Sequence, residues 1–186
     1  MGLLTSVPGS HNITVFLSGK ARVLTKVMTW RTIMVISDYL KPEQIKLSLE
    51  ARTKQDAIVE LSELLRPHPH VKDLEKFVEE TFKRENFSTT GIGHEVAIPH
   101  ARTDAVSDIV IALGRSSQGI EFDSLDGSPV KLVFLIGTPK SRHLSTYLSL
   151  LAHLTRLLDR ETFRKKLLEA TSAEAIIDAF RKVEEP

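Results

Sequence analysis

The chain has 186 residues, 41% hydrophobic and 26% charged, with no cysteine, a length that suits one domain with a core of its own. The missing cysteines exclude a disulfide framework, a thiolate metal site and a cysteine nucleophile. Lys plus Arg number 25 against 24 Asp plus Glu, so no overall field draws the chain to nucleic acid or a membrane surface, and apolar runs such as Leu132 to Ile136 fall far short of the ~20 residues a membrane helix needs.

Residues 1–33 carry Lys20, Arg22, Lys26 and Arg31 and no acid. Their one apolar run, Ile13 to Leu17, is too short for a secretory core and is flanked by Pro8, Gly9 and Gly19. This segment reads as an N-terminal extension outside the fold, a disordered basic arm or an over-called start, with the domain spanning 34–186. Within the domain, Ser37 or Asp38 can cap a short turn, and the alternation of Ile45, Leu47 and Leu49 predicts a first strand. Thr53 caps a helix whose apolar face is Ala57, Ile58, Leu61, Leu64 and Leu65. The two prolines of RPHPH break the chain, and Asp73 opens a second helix through Arg84 with Leu74, Phe77, Val78 and Phe82 as its stripe. A loop with two glycines follows. Then DIVIALG, GIEFDS and KLVFLIG read as strands, with Asp126-Gly127 and Ser128-Pro129 as the hairpin signal between the last two. Helices over 144–158 and 161–170 and from Ser172 close the chain. This order predicts an α/β (α+β) domain, three layers of helix/sheet/helix around a mixed β-sheet.

The segment TTGIGHEVAIPHAR, Thr89 to Arg102, stands apart chemically. Two nearby glycines let the backbone approach another group closely, and Pro99 restricts the chain just before His100. A histidine held on a constrained turn at the end of an apolar strand can be a nucleophile, a general base, a metal ligand or a buried structural residue. The residues alone leave these open.

The string RENFSTTGIGHEVAIPHAR resembles the signature of IIA domains of the bacterial phosphoenolpyruvate-dependent phosphotransferase system, in the fructose, mannitol and nitrogen-regulatory class. SDYLKPEQIKLSLEARTKQDAIVELSELL and IEFDSLDGSPVKLVFLIGTP resemble the family's opening and its sheet-forming middle. The resemblance implies a phosphohistidine carrier: His100 accepts a phosphoryl group from an HPr-type carrier protein and passes it to a IIB domain or uses it in nitrogen-type regulation. Arg84 matches the family's charge-compensating arginine. Glu85 is a candidate to orient it, or a solvent-exposed neighbour, while Thr89 and Thr90 are candidate phosphate neighbours or turn formers. The family also places a second histidine at the start of the helix after the last core strand. His143 supplies it here, with Tyr147, four residues on and on the same helix face, as the alternative register.

The resemblance further implies no cofactor and no metal, a cytoplasmic location, and neither nucleic acid nor membrane embedding. A lone IIA chain leans towards the regulatory use. A phosphorylation-independent binding module with the same fold is the competing function. A metal hydrolase built on His94 and His100 is weaker, because their spacing matches no common zinc motif. His153 reads as a packing residue within LLAHLTRLL, and His68 and His70 flank Pro69 without acidic ligands in register.

Overall fold

The computed structural model describes residues 35–184; the basic extension lies outside the described residues. The domain opens with short 3-10 turns at Ile36–Asp38 and Pro42–Gln44, then β1 (Ile45–Lys46), α1 (Lys54–Leu65), α2 (Leu74–Phe87), β2 (Gly91–Gly93), β3 (Val96–Ala97) and β4 (His100–Arg102). The long strands β5 (Val110–Ile120) and β6 (Val130–Thr138) follow, and α3 (Leu144–Leu158), α4 (Glu161–Glu169) and α5 (Ala173–Glu184) complete it. Two of the predicted caps form: Thr53 Oγ1 accepts from the Asp56 N–H at 3.2 Å and Asp73 Oδ1 from the Lys76 N–H at 2.9 Å, each satisfying a donor that the first helical turn leaves free. Ser37 and Asp38, by contrast, lie inside the opening 3-10 turn, whose N-cap is Val35 with no side-chain bond.

The sheet has the order β1-β5-β6-β3-β2, with β4 also beside β6. β5 and β6 are antiparallel, whereas β3 and β4 both run parallel to β6, in the registers Val96↔Leu132 and His100↔Ile136. β3 and β4 are therefore one strand interrupted at Pro99, whose carbonyl still accepts from the Ile136 N–H at 2.9 Å. Because side chains alternate across a strand, the sheet presents two apolar faces. One carries Ala97, Ala101, Val133 and Leu135 against Ala57, Ile58, Leu61 and Phe77 of α1 and α2. The other carries Ile98, Ile111 and Ile136 against Leu150, Leu154, Phe163 and Phe180 of α3 to α5. This is the expected mixed sheet between two helical layers. Truncating a fully buried residue such as Phe77 to Ala would cost about 3–5 kcal/mol.

Three boundaries depart from the sequence reading. The first strand holds only Ile45 and Lys46, because the chain crosses the sheet edge there: Ile45 joins one core and Leu49 the other. The sequence GIEFDS is not a separate strand. β5 ends at Ile120, and the next residues brace α1 through Glu121 N–H to Arg52 O at 3.1 Å and Lys54 N–H to Glu121 O at 3.1 Å. The Asp126-Gly127 turn forms inside this connection, with Gly127 at φ 72° and its N–H bonded to Ser124 O. Finally, α2 continues past Arg84 to Phe87.

Candidate functional site

His100 begins β4 and is 7% exposed. Its Nδ1 stands 2.7 Å from the carbonyl oxygen of Ile98. A carbonyl can only accept, so Nδ1 carries the proton and the lone pair lies on Nε2. The Pro99 break makes this local bond possible, since it turns the chain so that an imidazole reaches back to the second carbonyl before it. Burial holds the imidazole below its ordinary pKa, the Arg84 charge pushes the same way, and the Ile98 bond and Glu85 only oppose them. The neutral, Nδ1-protonated ring is thus the resting form at neutral pH.

Arg84 lies in the last turn of α2, half-buried, and Nη1 donates to the Ser88 carbonyl at 2.8 Å. Its charge acts on both His100 and Tyr147. Glu85 does not orient it. Glu85 is buried and accepts from the Thr90 N–H at 3.1 Å and the Thr90 hydroxyl at 2.5 Å, with Lys54 Nζ at 3.8 Å. The Thr89 hydroxyl donates to Phe122 O at 3.0 Å and accepts from the Gly91 N–H at 3.1 Å. Both threonine hydroxyls therefore bond within the loop and its immediate neighbours.

The second-histidine position also needs correction. His143 is the exposed N-cap residue of α3; its side chain makes no cap bond, and its carbonyl accepts from the Thr146 and Tyr147 N–H groups. The ring beside His100 belongs to Tyr147, at a centroid distance of 5.8 Å and an interplanar angle of 61°. One turn of helix separates the two candidates, and the inward-facing one is the tyrosine. Burial raises the Tyr147 pKa, while Arg84 and Arg102 oppose the rise.

Arg102 was missed by the sequence reading, although the period of a strand could have found it: two residues after His100, it shares that residue's face. Its Nη2 donates to the carbonyls of Lys140 at 2.7 Å and Arg142 at 2.9 Å, both in the connection that launches α3. The other histidines lie apart from this chemistry. His94 is exposed and occupies, with Glu95, a two-residue turn between β2 and β3 in which both have positive φ (55° and 63°), the geometry of a type I′ hairpin turn. His68 Nδ1 accepts from the His70 N–H at 3.2 Å. His153 Nε2 bonds the Glu184 carboxylate at 2.9 Å.

Residues 38–183 match the family model described as phosphoenolpyruvate-dependent sugar phosphotransferase system, EIIA 2. The chain is 42% identical over 145 residues to the fructose-specific EIIABC component of Bacillus subtilis, covering 78% of this chain but only 23% of that protein. It is 39% identical to the fructose-specific EIIA component of Haloferax volcanii, covering 81% and 97% respectively. A nitrogen regulatory protein of Bradyrhizobium diazoefficiens is 34% identical, over 77% of this chain and 92% of that one. The fold is similar to the crystal structure of nitrogen regulatory protein IIA-Ntr from Neisseria meningitidis, with a TM-score of 0.73 and 29% identity over 78% of this chain and 98% of that one. The chain belongs to the EIIA 2 family of the phosphoenolpyruvate-dependent sugar phosphotransferase system.

Proposed function

We propose that the protein is a phosphohistidine carrier in which His100 Nε2 accepts a phosphoryl group from a phosphohistidine of an HPr-type protein and releases it to a IIB domain. The observation that carries this reading is the buried imidazole with Nδ1 on the Ile98 carbonyl and Nε2 without a hydrogen-bond partner among the described residues. In the forward step the Nε2 lone pair attacks phosphorus, the Nε2–P bond forms, the donor's N–P bond breaks, and the electron pair returns to the donor's imidazole nitrogen. Nδ1 keeps its proton throughout. Such a transfer needs positioning and charge compensation more than covalent help. Arg84 supplies the charge, and the edge of Tyr147 fixes the plane of the ring.

A nearly buried acceptor requires a donor that seats closely. The two elements that carry Arg84 and Tyr147 also present Phe87, Leu144 and Leu148, which are 89%, 54% and 52% exposed. These side chains suit a protein partner that covers apolar surface as it aligns its phosphoryl group. The two fructose-specific relatives, at 42% and 39% identity against 34% for the nitrogen regulatory protein, favour sugar phosphotransfer over the regulatory use. The reading takes 34–186 as the carrier domain and the cytoplasm as its location.

Incubation with phosphoenolpyruvate, enzyme I and an HPr-type carrier should add one phosphoryl group that is acid-labile and stable to alkali. His100→Ala should abolish it while the protein stays folded. A phosphate mapped to another histidine would overturn the assignment, and a wild-type protein that several competent carriers leave unlabelled would favour the binding-module reading.

A further inference from the structure

The guanidinium of Arg102 is only partly used. Its Nη2 holds the Lys140 and Arg142 carbonyls, but its Nε is buried and has no hydrogen-bond partner among the described residues. The β4–β6 register sets Arg102 directly beside Thr138, whose hydroxyl is likewise buried without a partner. Two polar groups on the His100 face of the sheet are thus unfilled, and at least one is a donor. Buried polar groups are rarely left in this state unless something else completes them. Arg102 and Arg84 come from different elements, one from β4 itself and the other from the end of α2, and both charges act on the Tyr147 phenol that packs against His100.

We propose that Arg102 is a second catalytic cation, whose unpartnered Nε–H receives an oxygen of the phosphoryl group on His100 while its Nη2 keeps the β6–α3 connection in place. The inference rests on the carrier reading of His100. Phosphoryl oxygens accept strongly from guanidinium groups, and the developing charge on three oxygens is better compensated by two arginines on different sides than by one. The Nε–H lies on the strand that begins with His100 and has no competing acceptor among the described residues. Arg102 joins the two functions because one planar group both anchors the start of the helix carrying Tyr147 and faces the acceptor.

The test uses phosphoramidate, a small donor that makes protein docking irrelevant: its P–N bond breaks, ammonia leaves, and the Nε2–P bond forms. Phosphorylation of the full-length wild type, Arg102→Ala and Arg102→Lys is followed by phosphorus NMR, and the melting temperature of each unphosphorylated protein is measured alongside. Arg102→Ala should accept phosphate about tenfold more slowly or worse and melt lower. Arg102→Lys can still donate to the loop carbonyls but has no Nε–H, so it should recover the melting temperature and not the rate. A lysine variant that restores both in full, or an alanine variant with the wild-type rate, would show that Arg102 is a structural tether and overturn the inference while leaving the carrier reading intact. A wild-type protein that forms no phosphohistidine would overturn both.

Discussion

A buried imidazole with its Nδ1–H on a carbonyl stays neutral, and therefore nucleophilic, further into the acid range than a free one. Because burial and the Arg84 charge lower the His100 pKa, the rise of its phosphorylation rate with pH should be centred below the ordinary imidazole value rather than on it. The linked stability has a definite sign. The unfolded histidine binds its proton at higher pH than the folded one, so the His100 contribution is complete above the ordinary imidazole pKa and is lost as pH falls from there towards the depressed folded value. Arg84→Ala should move the NMR titration of His100 upward, since it removes one of the two causes of the depression. It should also slow phosphorylation about 10²-fold, while the loss of its bond to Ser88 O costs no more than about 1 kcal/mol. An unmoved titration with a wild-type rate would remove Arg84 from the site. At the neighbouring position, Tyr147→Ala should slow transfer by freeing the His100 ring, whereas His143→Ala should leave the rate within about twofold, because its side chain is exposed at the helix cap. The reverse result would restore His143 to the site.

Between α2 and β4 the chain makes its sharpest local adjustments, and these were the least legible in the sequence. The glycines and Pro99 announced a constrained loop, and one reason is now visible: a Cβ on Gly91 would lie 2.8 Å from the Ser124 backbone, a close approach that only glycine permits. The caps of α1 and α2, the apolar faces of the helices and the apolar centres of β5 and β6 were readable because each depends on residues close in sequence. The roles of Glu85 and the threonines were not, since Glu85 is a buried carboxylate whose partner Thr90 comes from beyond the helix end. Helical periodicity assigns it no face. The choice between His143 and Tyr147 turned on one turn of helix, because the two share a face and only where α3 starts relative to β4 puts Tyr147 beside His100 and leaves His143 as the exposed N-cap. Thr90→Val separates holding the loop from contact with a phosphate. Removing a hydroxyl bonded to a buried carboxylate should lower stability by about 1–3 kcal/mol in chemical denaturation, yet the phosphorylation rate should stay within about twofold of wild type. A large loss of rate without loss of stability would return Thr90 to the phosphate.

At the scale of the whole domain, the first and last described segments are joined by one side chain. Glu184, at the end of α5, is almost wholly buried and accepts from the Ile36 N–H at 2.6 Å, the Ser37 N–H at 3.0 Å and the Ser37 hydroxyl at 2.9 Å, with His153 Nε2 at 2.9 Å. This cluster closes α5 over the opening 3-10 turn. The family match runs from residue 38 to 183, so it leaves out both ends of the clamp that the structure reveals. A chain started at Met34 keeps Ile36 and Ser37 and should melt within about 2 °C of the full-length protein, with an unchanged rate of phosphate acceptance. A chain started at Tyr39 leaves the Glu184 carboxylate buried with most of its donors gone. At about 1–3 kcal/mol for an unsatisfied buried polar group, more when it is charged, and roughly 2–4 °C for each kcal/mol in a domain of this size, it should melt several degrees lower. Glu184→Ala in the full-length protein should reproduce that loss, because it strands the Ile36 and Ser37 N–H groups from the other side of the same contact. Equal melting temperatures for the two shortened chains would show that the clamp contributes nothing, and a loss of several degrees already in the Met34 chain would show that the domain begins upstream of it.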